Sequence, residues 1–489
     1  MNRPAPDDPA VPAKALAASR APVPPTPASP APVASSPTTQ ALIDRPLLPV
    51  LLMLSGPVLV EHTLHMFVGL TDTYIASHLP NITAPATAAV GTIAYFLWFL
   101  GIIVGAVAAG STALIARARG ARHRSLANSV TGQSMAAGAI LGLVMAGGLY
   151  LFAEPIVAVT QLHGQARDLA LAYLRLLAWA VPLNTLMLIA NACLRGHGDT
   201  LTPAFAMVVV DGLNIALSLG LGFGLWGLPN LGFEGIAIGT VAAYGVGGLI
   251  QVCVLLAGRK GLRLYLHRLR PHWHTLRRIL RVGIPAGVEG ALAFAAQFCV
   301  LVIINHSDPS NVQPAAHINA IRIEGISFMA GFAVAVACAT MVGQALGARR
   351  PDRARRAAYL AFAVGGGFMT LAGVGFILFA RTLAGWLSPD PHIVDLTAAC
   401  LRIAGAVQAP FAASAIFGFA LRGAGDTLAV MVLNLISQYG VRLVGVAIVG
   451  WWLGLGIVAV WAVLCLELCT RGLLMWLRFA QGRWATIRV

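Results

Sequence analysis

Twelve apolar runs follow one another along the chain, at about 47–76, 86–115, 125–152, 168–193, 202–226, 234–257, 279–304, 316–343, 356–380, 394–420, 428–450 and 454–478. Each is long enough to be a membrane-spanning helix, because a hydrocarbon core of about 30 Å takes roughly 20 helical residues. The alternating segments of about ten residues that build porin-type barrels are missing. The pattern predicts an all-α integral membrane protein with twelve transmembrane helices. The runs are rich in Gly and Ala, which let helix backbones approach closely in lipid. Pro57, Pro182, Pro203, Pro285 and Pro410 lie in spans or near their starts, where a freed carbonyl permits bending.

The runs form two sets of six. Leu194-Arg195-Gly196-His197-Gly198-Asp199-Thr200 returns 227 positions later as Leu421-Arg422-Gly423-Ala424-Gly425-Asp426-Thr427. Nearly the same shift carries Pro57 and Glu61 onto Pro285 and Glu289, and Gly120-Ala121-Arg122 onto Gly347-Ala348-Arg349. A duplicated unit of six spans inserts twice in the same orientation, giving a pseudo-twofold axis along the membrane normal. The expected domains are six-helix bundles at 46–257 and 279–478, facing each other across a cleft. Residues 258–278 form a basic cytoplasmic linker, expected as a flexible tether. Residues 479–489 make a cytoplasmic C-terminal tail.

Composition sharpens this picture. Of 489 residues, 58% are hydrophobic and only 10% charged, which excludes an ordinary soluble enzyme. The net charge of +15 would suit nucleic acid, but its distribution does not. Basic residues gather in the even loops, at Arg117–Arg124, at Arg259–Arg281 and at Arg349–Arg356, whereas 77–85 and 305–316 have no Lys or Arg. This asymmetry is the ordinary topogenic signal and predicts an inner or plasma membrane protein with both termini cytoplasmic. Residues 1–45, dominated by Pro, Ala, Ser and Thr, read as a disordered cytoplasmic tail with no signal-peptide pattern. The seven Cys lie in or beside spans without zinc or disulfide spacing.

The repeated heptapeptide falls between the fourth and fifth spans of each half. Gly196 and Gly423 suit the left-handed residue that ends a helix, and Asp199 and Asp426 suit the N-cap of the next. Arg195 and Arg422 can bond terminal carbonyls or a neighbouring carboxylate. A tight helical corner and a cytoplasmic gate are both open readings. Together with the Gly-Ala-Arg loops, Asp72-Thr73, Ala89-Val90-Gly91 and Arg322-Ile323-Glu324-Gly325-Ile326-Ser327-Phe328, these corners resemble the multidrug and toxic compound extrusion (MATE) transporters. The resemblance runs from about 45 to 478. It implies a secondary antiporter, not an enzyme, exporting cationic or amphipathic organic compounds against inward H⁺ or Na⁺.

Carboxylates at membrane depth are functional candidates by default. Glu61, His65 and Asp72 lie within roughly 40° of one another on the first helix and make one polar stripe. Asp211, Asn214 and Ser218 make another on the fifth helix, and Asn184 and Asn191 a third on the fourth. The resemblance implies that Asp72 couples the cation and that Asn191 and Asn214 help build its site, with possible Na⁺ at Asp72, Asn191 and Asn214. Ser218, one turn after Asn214, stands where the family frequently has Asp, and Asp211, one turn before Asn214, is the candidate substitute. This departure weakens a Na⁺ site, and H⁺ needs only one protonatable carboxylate. His65 is open between sharing that proton and a structural hydrogen bond.

Glu289, Phe328, Met329 and Asn184 are the substrate-cleft candidates. Relatives that carry a second acidic site in the C-terminal half place it where this chain has Leu292 and Phe411, so that site is expected to be missing. Arg442 and Glu467 are left open between pairing and separate roles. No cofactor and no resident metal are expected. The partners are the bilayer and small organic substrates, with no nucleic acid and a monomeric chain. A lipid-linked precursor flippase is the nearest alternative. The GxGD strings at 196–199 and 423–426 also match intramembrane aspartyl proteases, whose chemistry needs two facing intramembrane carboxylates, whereas these strings sit in basic corners.

Overall fold

The computed structural model describes residues 44–80, 82–160, 162–258, 261–308 and 312–487. Among them, eleven helices are long and apolar enough to cross a membrane, and a bent pair taken as one span makes twelve. They are α1 (Leu47–Ser77), α2 (Thr83–Gly120), α3 (Arg124–Leu151), α4 (Gly164–His197), α5 (Leu201–Phe223) and α6 (Phe233–Ala257), then α7 (Trp273–Ser307), α8 (Val312–Gly347) and α9 (Pro351–Leu378). The bent pair is α10a (Pro391–Ala406) and α10b (Gln408–Gly423), which meet at 58°. α11 starts as Thr427–Leu435 and continues in π-helical turns to Trp452, and α12 is Gly456–Ala480. Large apolar side chains such as Ile140, Leu143, Trp179, Phe205 and Leu371 stay exposed on the outer surface, as a lipid-facing surface requires.

The halves interlock at the end that carries the basic loops. Val50, Leu51 and Leu54, near the start of α1, are buried in a core built from α8, α9 and α10b. Their repeat counterparts near the start of α7, Ile279 and Val282, are buried in the core of α2, α3 and α4. The first helix of each half therefore begins inside the other. Backbones touch where small residues permit it. A Cβ on Gly120 would overlap the backbone of Gln344, and one on Gly347 would overlap that of Arg117. The two contacts exchange under the repeat shift, as a pseudo-twofold axis demands. Gly110 and Gly283 make similar close approaches to Ile279 and Ala106.

The corners differ from expectation at their glycines. The left-handed residues are Gly198 (φ 94°) and Gly425 (φ 85°), not Gly196 and Gly423. Gly196 and Gly423 lie inside the helices, and glycine is needed there because a Cβ would run into the backbones of Thr112 and Ala339. One glycine ends the helix and the other lets it cross a neighbour. Arg122 and Arg349, both at φ 60°, repeat the same turn after α2 and α8.

The linker is docked, contrary to a free tether. Leu262 and Leu264 are buried against the first half, and Asn128 Oδ1 accepts from the Arg263 amide at 3.0 Å. Gln133 Nε2 donates to the carbonyls of Arg268 and Arg270, both at 2.7 Å. The C-terminal residues are likewise held: Trp484 is buried against Phe479, and Arg117 donates to the Ile487 and Ala424 carbonyls at 2.6 Å. Of the segment 1–45 only Asp44 and Arg45 are described, and Asp44 pairs with Arg350 at 2.9 Å.

Left-handed backbone costs an L residue roughly 1–2 kcal/mol. Gly198→Ala should therefore lower the thermal midpoint of the detergent-purified protein. Gly56→Ala, with nothing within 4 Å of its Cβ, should leave it unchanged or slightly raised. Equal midpoints for the two variants would contradict this assignment of the corner.

Candidate ion-binding and substrate sites

Asp72, late in α1 and 4% exposed, is surrounded by neutral donors from three other helices. Thr240 Oγ1 of α6 donates to Oδ2 at 2.7 Å, and the Tyr173 hydroxyl of α4 donates to the same oxygen at 3.0 Å. Asn214 Nδ2 of α5 lies 3.3 Å from Oδ1 and also donates to Thr240 Oγ1 at 3.0 Å. Ser218 Oγ joins at 3.4 Å from Asn214 Nδ2. Among the described residues no Lys or Arg forms an ion pair with Asp72. The charged form therefore depends on three dipoles for its stabilisation, and the neutral form needs only a reversal of one hydroxyl.

Asn191 does not belong to this group. It donates from Nδ2 to Glu61 Oε1 at 3.0 Å, and Arg195 Nη1 meets the same oxygen at 2.7 Å. The reason is depth. Glu61 and Asp72 share an azimuth, but eleven residues separate them by about 16 Å along the axis. α4 supplies Tyr173 at one level and Asn191 at the other. The Na⁺ set of Asp72, Asn191 and Asn214 is thus not assembled. Asp211 is buried with Oδ1 unpartnered and makes no bond to Asp72. His65 is exposed, its ring 6.2 Å from that of Tyr244.

The repeat mate of the Glu61 pair sits in the other half. Glu289 of α7 accepts from Arg422 of α10b and from Asn434 of α11. The corner arginines therefore turn inward to carboxylates. Between the halves, Arg195, Glu289 and Arg422 line a cavity of about 450 Å³ with His62, Thr112, Phe332 and Phe419. Phe332 packs edge-on against His62 at 4.8 Å and against Phe419 at 5.1 Å, and the Arg422 guanidinium lies 4.9 Å from the Phe419 ring. An aromatic wall beside the Glu289–Arg422 pair and Arg195 suits a flat amphipathic molecule.

Other candidates are placed elsewhere. Phe328, Met329 and Asn184 do not line this cavity; Phe328 stacks on Phe411 at 5.2 Å, and Asn184 Oδ1 is buried without a partner. Asp199 caps as expected, accepting from the Thr202 amide at 3.4 Å and from its hydroxyl at 2.8 Å. Asp426 makes no side-chain capping bond and instead pairs with Arg478 at 2.8 Å. Arg442 and Glu467 do pair, at 2.5 Å, with Arg471 3.2 Å from the same carboxylate. Sequence reasoning missed Tyr173 and Thr240. Tyr173 lies eleven residues before Asn184, on the same face of α4, and that polar stripe was its one signal. Thr240 had none.

Two interlocked six-helix halves, a carboxylate held by neutral donors in one of them and a cavity between them define a duplicated membrane carrier. The chain matches the MatE family over residues 57–219 and 285–465, and it belongs to that family. It is 28% identical over 435 residues to the probable multidrug resistance protein NorM of Thermotoga maritima, covering 89% of this chain and 92% of that relative. It is 26% identical over 399 residues to a FAD transporter of Shewanella oneidensis, covering 81% and 86%. A crystal structure of a MATE protein in the bent conformation shares the fold with a TM-score of 0.84 at 22% identity, covering 92% of this chain and 97% of that one. The protein is a transporter embedded in a membrane by multiple spans.

Removing one partner of a buried ion pair costs about 3–5 kcal/mol, whereas replacing both by apolar residues is often neutral. Arg195→Met and Glu61→Leu should each destabilise the purified protein strongly, and the double variant should recover most of the loss. Additive losses would mean that the pair is not coupled.

Proposed function

We propose that this protein is a secondary active antiporter that exports cationic or amphipathic organic compounds in exchange for H⁺. The observation that carries this reading is the Asp72 site, a buried carboxylate with neutral donors from three helices and, among the described residues, no Lys or Arg paired with it. A charge in that position costs several kcal/mol unless hydrated or neutralised, so a proton is a natural ligand. Tyr173, Thr240 and Asn214 position the carboxyl group, with Asp211 and Ser218 in its surroundings. Substrate occupies the cavity between the halves, where Glu289 and the aromatic wall of His62, Phe332 and Phe419 face it. The relatives support organic cargo, and their differing names leave the compound to this chain's own cavity.

In this reading the basic end, with both termini, faces the cytoplasm, in line with the loop charges. The close backbone contacts at that end form the closed side of the cleft. Alternating access is the rocking of the halves 46–257 and 279–478 about this seam, by a chain acting as a monomer. Na⁺ is the second reading, favoured by Asn214 Oδ1, a buried oxygen without a partner near Asp72. The two ions are separable in proteoliposomes loaded with a cationic dye. An imposed pH gradient should drive dye movement, and a Na⁺ gradient at uniform pH should not. Asp72→Asn should abolish gradient-driven movement while leaving dye binding within a few-fold of the parent. Full transport by Asp72→Asn would remove the coupling role, and drive by Na⁺ alone would replace the proton.

A further inference from the structure

The glutamates of the second half are, with one exception, matched by arginines. Glu289 faces Arg422, and Glu467 faces Arg442 and Arg471. Glu324 is the exception. It lies on α8, about 18 Å from the helix start by rise per residue, which places it at membrane depth. Among the described residues no Lys or Arg comes within ion-pair distance, and its one hydrogen bond is from Gln408 Nε2, at 3.4 Å to Oε1. The side chain is half-buried.

Gln408 is fully buried and opens α10b, with one residue between it and the end of α10a at the 58° break. Its amide is held at both ends. Oε1 accepts from Ser327 Oγ of α8 at 2.8 Å, and Nε2 donates to the Ala404 carbonyl of α10a at 3.2 Å as well as to Glu324. The same side chain thus bridges α10a, α10b and α8, and its orientation is set by which group accepts. Other charged or titratable groups face Glu324 from the packed helices. Arg442 of α11 is bound to Glu467 at 2.5 Å and to Gln297 of α7 at 3.2 Å. Arg471 and Cys465 come from α12, and His317 of α8 is bound by the Trp461 indole at 3.1 Å. The π-helical turns Ile436–Leu443, which carry Arg442, flank the region, and such turns recur at functional sites.

We infer that Glu324 is a second proton-carrying carboxylate, in the opposite half from Asp72, and that its ionisation sets the bend of α10 through Gln408. The inference rests on the proton-coupled reading above. The step is a protonation alone: one carboxylate oxygen takes H⁺ from water, and no covalent bond between heavy atoms changes. The Gln408 N–H bond to Glu324 then passes from charge-assisted to neutral and loses roughly half its strength. The tie between α8 and the break in α10 loosens accordingly, and the Nε2 donor is left to the Ala404 carbonyl of α10a.

Purified protein in lipid nanodiscs, with ethidium as the probe, tests this by proton release on dye binding and by infrared difference spectra between acid and neutral pH. Glu324→Gln should bind ethidium, release at least one third fewer protons per dye than the parent and flatten the pH profile of efflux. Glu324→Asp should restore both. In an Asp72→Asn background a protonated-carboxyl carbonyl band should persist at acid pH and shrink when Glu324→Gln is added. Native proton release in Glu324→Gln, or a band indifferent to residue 324, overturns the inference. Should Glu324→Gln fail to fold, Glu324→Asp must shift the band in frequency, and an unmoved band is equally fatal. A band that responds to residue 324 in a chain without pH-driven efflux would remove the transport reading and leave Glu324 as a protonation site. Efflux driven by pH with an unresponsive band would remove Glu324 alone.

Discussion

A carboxylate inside hydrocarbon is tolerated only when a cation, a set of donors or a proton answers its charge, and the arrangement of this protein follows from how each acid is answered. Glu61, Glu289 and Glu467 are met by arginines. Those pairs tie α1 to α4, α7 to α10b and α11 to α12. They are expensive to separate, and they hold each half together as a unit. Asp72 is met by hydroxyls and an amide. That answer is weaker and reversible, because a hydroxyl can donate to an anion and accept from an acid. The distinction separates the acids that hold the architecture from an acid held by neutral donors alone.

The second constraint is steric. At the basic end the two halves approach to backbone contact, and Gly110, Gly120, Gly283 and Gly347 are what allow it. Each half also starts inside the core of the other, through Leu51 and Leu54 on one side and Ile279 and Val282 on the other. Such an interlocked seam resists separation. The cavity lies above this seam, lined from both halves.

Duplication preserved the frame and released the chemistry. Both halves keep the proline, the glutamate one turn after it and the arginine that answers it. The position equivalent to Asp72 is Val300, buried in the second half, and Tyr173 corresponds to Cys400. The half without the aspartate carries instead a broken α10 and π-helical turns in α11. Two copies of one fold thus came to hold charge differently.

The chain alone determined the all-helical class, the twelve spans and the duplication, since length, apolar run and repeat shift are one-dimensional quantities. It also marked Asp72, because an acid in an apolar run is conspicuous. Tertiary structure decided the partners. Helical periodicity gives the azimuth of Asn191 but not its level against α1, so only packing assigns it to Glu61 rather than Asp72. Thr240 in an apolar run looks like any other small residue until α6 brings its hydroxyl to the carboxylate. The same holds for the corner glycines: both are glycine in sequence, and only the chain path shows that Gly198 turns and Gly196 makes room.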